Sequence, residues 1–379
     1  MGAVSVEPVA SKRQLEAFID VQDQINASDP NWVAPIKLER LEHYNPKKNV
    51  FLGNMAHQFW LAYHGGRPVG RISAQVNRHH LKRHQDATGQ FGSFDCVDDV
   101  AVAKALIDTA KAWLSERGMV RMTGPFSHSI NEEAGVLVEG FDRPPNLMMC
   151  HNPTYYDGLL GQLGLVKAQD LFCYDFDIRS EFSPKLTRII ERFHRNADVK
   201  IRQLDKRRYD AEIDLICDIF NDAWHENWGF IPFGSDEARY LGRSLKPIID
   251  PDLVLIAELK GRPIAMIIDV PNVNEAAADI GGKLLPLGWA KLLWRLKVRG
   301  TKSSRVPLMG VRREFRPKPL SGIVALGLIA RLREIGLGKG IETAELSWIL
   351  EDNQHMNNIL IELGADHYKT YRIYETSLV

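Results

Sequence analysis

The stretch Phe59-Trp-Leu-Ala-Tyr-His-Gly-Gly-Arg-Pro-Val-Gly-Arg-Ile72 decides the reading of this chain, because it recurs as Leu253-Val-Leu-Ile-Ala-Glu-Leu-Lys-Gly-Arg-Pro-Ile-Ala-Met-Ile267. Each copy reads as a strand, a tight Gly-Arg-Pro turn and a second strand. A second pair follows further along. Tyr156-Asp-Gly-Leu-Leu-Gly-Gln-Leu-Gly164 and Asn357-Asn-Ile-Leu-Ile-Glu-Leu-Gly364 read as short helices stopped at glycine, and strand-like tails succeed them at 170–176 and 367–374. The first pair is offset by 195 residues (Gly66 to Gly261) and the last by 200 (Gly164 to Gly364). A near-constant offset across two unrelated patterns predicts two tandem copies of one α/β unit, 1–180 and 181–379.

Outward from the hairpins, the rest of each copy can be drafted. Copy one opens with a helix at 11–26, started by Ser11 and Gln14 as a capping box. After its hairpin come a strand at 90–95, a helix at 100–117 closed by Gly118, and a strand at 120–124. Ser183-Pro184 marks the restart, as N-cap and first helical residue. Copy two has a strand at 199–204 and helices at 211–224 and 236–249 before its hairpin. A strand at 306–311, a helix at 321–335 and a strand at 341–348 follow it. Between 127 and 156 copy one carries a long insertion with no counterpart in copy two.

Composition sets the outer limits. The chain has 379 residues, 48 Lys+Arg against 48 Asp+Glu, 45% hydrophobic and 25% charged, which excludes disorder, coiled coil and collagen as descriptions of the whole. No apolar run approaches the roughly 18 residues of a membrane span. The N-terminus lacks a basic segment followed by an apolar core, so a cytoplasmic protein is expected. Cys96, Cys150, Cys173 and Cys217 are scattered, with no Cys-x-x-Cys pair, which predicts neither a zinc framework nor a disulfide scaffold. They read as core residues, with Cys150 beside His151 as an alternative nucleophile. His79, His80 and His84 lie among positive charges and are not expected to hold a metal. Neutrality hides one asymmetry: from Lys283 to Lys318 there are eleven basic residues and one acid, Glu314. Such an excess calls for an anionic partner, a solvated basic face being the alternative.

Six stretches stand out: Asp29-Pro-Asn-Trp-Val-Ala-Pro35, Gly124-Pro-Phe-Ser-His-Ser-Ile-Asn-Glu-Glu133, Gly140-Phe-Asp-Arg-Pro-Pro145, His151-Asn-Pro-Thr-Tyr-Tyr156, Glu345-Leu-Ser-Trp-Ile-Leu-Glu-Asp-Asn353 and Tyr368-Lys-Thr-Tyr-Arg-Ile-Tyr-Glu375. The element order resembles that of GNAT acyltransferases, and these stretches narrow the resemblance to bacterial GNAT-like N-acyltransferases, a group that includes the bacterial ceramide synthases. The resemblance spans essentially the whole chain. It implies an α/β (α+β) fold of two tandem GNAT-like domains, each with a mixed central sheet flanked by helices. It also implies transfer of a fatty acyl group from acyl-CoA to the amine of a long-chain sphingoid base, with 3-oxosphinganine as the expected acceptor and no metal.

In such folds a splayed strand delivers a glycine-rich loop onto a helix N-terminus, where backbone N–H groups hold the CoA pyrophosphate. Copy two offers Val311, Arg312, Arg313, Arg316, Lys318, Ser321 and Gly322 at that place, with Pro319 and Ser321 standing where glycines are the rule. Proline has no N–H to give, so the arginines would have to compensate with bidentate contacts. Copy one carries the acidic Cys96-Val-Asp-Asp-Val100 at the same place, a poor phosphate site. Asn353 stands where GNAT enzymes contact the cofactor arm. Aminolysis needs a general base and oxyanion donors; in the insertion, Glu132 is the first candidate base, His151 the second, and Tyr155 a candidate acid or oxyanion donor. The bland alternatives are a capped carboxylate, a satisfied histidine and core aromatics.

Across 285–299, Leu285, Trp289, Leu292, Leu293 and Leu296 share one helical face beside Lys291, Arg295 and Arg299. This predicts a basic amphipathic insertion (283–304) that lies on an anionic membrane, peripheral at the inner membrane, or else packs on the core. Three other functions stay open: an amino-acid or peptide amine as acceptor, a non-catalytic acyl-CoA or lipid scaffold, and nucleic-acid binding through the basic segment. The interleaved Leu/Trp stripe argues against the last.

Overall fold

Ser11 opens the first long helix as predicted: its hydroxyl accepts from the Gln14 amide, and the Gln14 side chain accepts from the Ser11 N–H. The structure, a computed structural model, describes residues 3–195, 197–316 and 319–379. The first elements are β1 (Ser5–Pro8), α1 (Lys12–Ile25), α2 (Lys37–His43), α3 (Val50–Gly53), β2 (Met55–His64), β3 (Arg67–Asn77) and α4 (Arg78–His84). After them come β4 (Thr88–Cys96), α5 (Val100–Ser115), β5 (Arg121–Gly124), β6 (Val136–Glu139), α6 (Tyr156–Gln162) and β7 (Val166–Asp177). The second series begins with α7 (Pro184–His194), capped by Ser183, then β8 (Val199–Gln203), α8 (Tyr209–Ala223), α9 (Ser235–Leu245), β9 (Val254–Leu259) and β10 (Arg262–Pro271). It closes with α10 (Val273–Ala277), α11 (Gly288–Trp294), β11 (Ser303–Val311), α12 (Pro319–Gly338), β12 (Thr343–Leu350), α13 (Gln354–Glu362) and β13 (Asp366–Ser377). Gly164 and Gly364 end α6 and α13 with φ of 76° and 82°, the left-handed geometry a glycine stop supplies.

The chain divides into two compact units. Unit 1 runs to Leu171 and takes in Ala277–Gly288 and Lys369–Val379; unit 2 consists of Phe172–Ala276 and Trp289–Tyr368. In unit 1 the sheet runs β1-β2-β3-β4-β5, and residues 370–377 of β13 lie antiparallel to β5 and β6. Its core packs Trp60, Ile72, Phe91, Leu106, Leu114 and Tyr156 between sheet and helices. In unit 2 the order is β8-β9-β10-β11-β12, with the second half of β7 beside β12. There Leu255, Ile264, Ile267, Val324, Leu328 and Leu360 form the core.

Each unit holds one parallel pair that opens. β4 runs with β5 from Thr88–Arg121 to Gln90–Thr123, yet β4 continues to Cys96. β11 runs with β12 from Ser303–Thr343 to Val306–Leu346, yet β11 continues to Val311. Beyond those points the parallel pairing stops; in unit 1 the chain after β5 still touches β4, with the Phe126 N–H donating to the Phe91 carbonyl.

The expected helix over 285–299 is a finding to correct. Leu285 lies outside it, because the residue before a proline is pushed out of the helical region, and α11 starts only at Gly288. From Arg295 to Arg299 the helix widens into a π-type turn. The stripe also divides: Leu292 and Leu296 are half-buried, whereas Trp289 and Leu293 join Trp294 and Val298 in solvent. Packing of the whole apolar face on the core is therefore not what the fold does with it. Among the described residues no helix is long and apolar enough to cross a membrane.

Candidate functional site

In unit 1 the segment that follows β5 meets the end of α2 in a cluster of ionisable side chains. Gly92 makes it possible. A Cβ there would come within 1.7 Å of the Phe126 carbonyl oxygen, so only glycine lets the segment after β5 cross β4 this closely. The Phe126 N–H donates to the Phe91 carbonyl at 2.8 Å, and the Gln75 amide donates to the Phe126 carbonyl at 3.0 Å. With Phe126 fixed from both sides, Ser127 emerges beside the last turn of α2, and its Oγ lies 2.9 Å from His43 Nε2.

His43 is the centre of this cluster. Its Nδ1 lies 3.7 Å from a Glu132 carboxylate oxygen, a distance at which the two act on each other through charge. The His128 ring stacks on it at 4.3 Å, and Tyr44 meets its edge at 4.9 Å. One turn earlier on α2, Arg40 pairs with Glu133 at 2.7 Å, so residues three apart on the helix address consecutive carboxylates of the insertion. Burial, reinforced by the charges of Arg40 and Arg71, holds the His43 pKa well below its ordinary 6.5, and His128 is lowered by burial in the same way. Both rings are neutral at pH 7. With the ring proton on Nδ1, the side that Glu132 faces, Nε2 is the atom that accepts from the Ser127 O–H.

The other residues singled out from the insertion have different partners. His151 is buried and pairs through Nε2 with Asp29 at 2.8 Å, and Asp29 also accepts from the Asn31 N–H. Burial alone would raise the Asp29 carboxyl; the hydrogen bonds from His151 and Asn31 bring it below its ordinary value. Asn31 in turn donates to the Phe141 carbonyl at 3.0 Å, so the Asp29-Pro-Asn-Trp stretch ties down the insertion. Tyr155 donates to the Cys96 carbonyl at 2.8 Å, and burial pushes its hydroxyl pKa up. Burial likewise raises the Cys150 thiol, which disfavours it as a nucleophile. His80 has a carboxylate neighbour that the sequence reading overlooked, Asp86 at 3.1 Å. Among the described residues no group of three or more His, Cys, Asp or Glu is placed to hold a metal ion.

In unit 2 the residues assigned to the pyrophosphate follow the splayed end of β11, where Val311 pairs with Ala265. Ser321 and Gly322 lie in the first turn of α12, and Lys318 lies outside the described residues. The arginines are not idle. Arg312 meets Asp218 at 2.5 Å, and the Arg313 N–H donates to Asp222 at 2.8 Å. Arg316 donates to the Ala223 carbonyl and lies 3.9 Å from Glu226. Asp218, Asp222 and Glu226 recur every four residues along and just beyond α8, an acidic ridge that offsets the basic loop. Asn353 caps α13, its side-chain oxygen accepting from the Met356 N–H at 3.2 Å. His43, Ser127 and His128 escaped the sequence reading because their chemistry depends on a contact across 84 residues. Ser127 and His128 did lie within the Gly124–Glu133 stretch that carries the resemblance, whereas nothing local marked His43.

No protein-family model matches the chain. The chain is 43% identical over 376 residues to the "Bacterial ceramide synthase" of Caulobacter vibrioides (strain NA1000 / CB15N), covering 99% of this chain and 98% of that protein. It is 42% identical over 375 residues to "Protein YghO" of Escherichia coli (strain K12), covering 98% and 95%. Among solved structures, a tandem GNAT protein from the clavulanic acid biosynthesis pathway matches with a TM-score of 0.58 at 12% identity, over 99% of both chains. A GCN5-related N-acetyltransferase from Sphaerobacter thermophilus matches with a TM-score of 0.55 at 12% identity, over 99% of this chain and 96% of that one. At such identities these two likenesses bear on fold alone, and the fold is tandem GNAT, as the sequence predicts.

Proposed function

The chain belongs to the bacterial ceramide synthase family, and on that premise we propose that it transfers a fatty acyl group from acyl-CoA to the amine of a long-chain sphingoid base, with 3-oxosphinganine as the acceptor. The observation that carries this reading is the 43% identity along nearly the full length of a protein named for that activity. The buried, neutral histidine with its carboxylate and serine neighbours supports it, because aminolysis of a thioester requires a proton acceptor in a dry setting. Glu132 belongs to that base system. The CoA pyrophosphate is assigned to the loop from Val311 to the first turn of α12, where Arg312, Arg313 and Arg316 exchange their acidic partners Asp218, Asp222 and Glu226 for phosphate oxygens. Each guanidinium thereby keeps a charge-assisted contact, one anion replacing another.

The protein docks on the anionic inner-membrane surface through α11. Trp289, Leu293, Trp294 and Val298 are exposed there, with Lys297 and Arg299 beside them, and Leu285 and Leu287 just ahead of the helix are 80% and 71% exposed. The Arg295 guanidinium donates to the Ala276 carbonyl at 2.8 Å and so anchors the inner side of the segment. Two greasy substrates make surface docking physically sensible.

The deciding experiment incubates purified protein with a panel of acyl-CoAs and either 3-oxosphinganine or sphinganine, and reads the products by mass spectrometry. The expected product is the N-acylated 3-oxo base. Acylation of amino-acid or peptide amines instead would transfer the reading to that acceptor class, and acyl-CoA binding without turnover of any amine would leave a scaffold.

A further inference from the structure

We propose that Ser127 and His43 form the proton relay of the acyl transfer, with Glu132 as the carboxylate that stabilises the charged form of His43. The inference rests on the acyltransferase reading above and names the chemistry of its base. Four observations carry it.

The first is geometry. Ser127 Oγ lies 2.9 Å from His43 Nε2, and Glu132 stands on the opposite side of the same ring, 3.7 Å from Nδ1. A hydroxyl, an imidazole and a carboxylate in that order are what a proton needs to leave a reacting nitrogen and stop on a ring whose new charge is compensated. The second is location: Ser127 lies three residues after Gly124, the end of β5, past the last paired residues of β4 and β5. The third is burial. Ser127 and Glu132 are only 6% and 7% exposed, so water is largely excluded, but the cluster is not sealed. The fourth is the electrostatics of His43: burial and the charges of Arg40 and Arg71 keep the ring neutral at rest, so a proton taken up during the reaction is readily given back. The charged and titratable groups around the relay are Arg40 on α2, Tyr44 just after it, Arg71 on β3, His57 on β2, and His128, Glu132 and Glu133 in the insertion.

The step balances as follows. The acceptor amine attacks the thioester carbonyl, forming the C–N bond. As it does so, an N–H proton passes to Ser127 Oγ, and the Ser127 hydroxyl proton passes to His43 Nε2. The imidazolium so formed faces the Glu132 carboxylate. Collapse of the tetrahedral intermediate breaks the C–S bond, and the CoA thiolate leaves with the proton returned by His43. No oxidant, metal or covalent enzyme intermediate is required. Arg40 pairs with Glu133, and Glu132 is the carboxylate whose oxygen lies 3.7 Å from the His43 ring.

The test uses the full-length protein with acyl-CoA and the long-chain amine that the wild type acylates. His43→Gln keeps a polar side chain but cannot take a proton, and its kcat is expected to fall by about 10²–10⁴-fold with the KM for acyl-CoA within about twofold. Ser127→Ala falls less, because a water can replace the hydroxyl. Glu132→Gln removes the charge that supports the imidazolium, so kcat falls and the acid limb of its pH profile moves to lower pH; Glu132→Asp restores part of both. An unchanged melting temperature and unchanged resistance of residues 3–171 to limited proteolysis show that each variant is folded. A Glu132→Gln limb that stays in place, or a His43→Gln variant with near wild-type kcat, overturns the relay. An acyl adduct on Ser127, found by peptide mass spectrometry after acyl-CoA alone, also overturns it and makes Ser127 a nucleophile. A wild type that acylates no amine fails differently, since it removes the acyltransferase reading and the relay together.

Discussion

At Gly92 one hydrogen stands where any side chain would strike the Phe126 carbonyl, and the position of Ser127 depends on that close approach. Gly92→Ala must displace backbone on one side or the other, and is expected to cost about 1–3 kcal/mol in urea unfolding, as overpacking does. Gly158 on α6 is the contrast, since a Cβ there meets nothing within 4 Å. Gly158→Ala should be neutral or stabilising by about 0.4–1 kcal/mol in the same measurement, because alanine restricts the unfolded chain. Equal losses at both positions would contradict the packing argument. Residues also show how one type is put to two uses. His151 and His43 each face a carboxylate, but His151 pairs directly with Asp29 and fixes a loop, whereas His43 leaves one nitrogen to a serine hydroxyl. Sequence spacing made His151 a candidate because it sits among motif residues; it gave no reason to connect His43 with anything.

At the scale of elements, α11 and α8 carry the basic segment to different ends. The basic loop after β11 is met by the acids of α8, so its charge is largely spoken for. α11 combines exposed tryptophan, leucine and valine with Lys297 and Arg299, and on the proposed docking these are the contact with lipid. Trp294→Ser with Val298→Ser removes two large exposed apolar side chains, each worth about 1.5–3 kcal/mol when fully buried. Co-sedimentation with vesicles rich in phosphatidylglycerol should fall at least tenfold, with the melting temperature unchanged because neither side chain is in the core. Neutral phosphatidylcholine vesicles should bind the wild type weakly, and raised salt should weaken binding to the anionic ones. Equal binding of wild type and double variant would dismiss α11 as the contact. The periodicity of 285–299 foresaw a basic, apolar-striped segment but not its start, which Pro286 sets, nor which face would turn outward.

For the whole molecule, the end of the chain matters to the unit that the beginning builds. Lys369–Val379 belongs to unit 1, where Tyr371, Ile373 and Tyr374 are all but fully buried and Arg372 pairs with Asp170 at 2.8 Å. The Lys369 ammonium is buried too, donating to the Arg143 and Pro144 carbonyls at 2.9 and 2.8 Å. Three large side chains at about 1.5–3 kcal/mol each amount to much of a domain's net stability of about 5–15 kcal/mol. Deleting 369–379 should therefore open unit 1, and limited proteolysis should find new cleavage sites between residues 3 and 171. A truncated protein as resistant there as the full chain would show that β13 is dispensable.

The repeat of hairpin and glycine-stopped helix was enough, without structure, to give two tandem α/β units and their element order. Both patterns are local: a Gly-Arg-Pro turn, the Ser11 capping box and Gly118, Gly164 and Gly364 act within a few residues of themselves. The short elements α2, α3, α4 and β6 went unread, since they are too brief to show a period and exist because the fold around them buries one side. What only the tertiary structure decided is partnership. It set His43 against Ser127 and Glu132, paired the loop arginines with α8, and gave the last strand to unit 1. Each of these joins residues distant in the chain through burial and charge, and such contacts leave no period or spacing in a sequence.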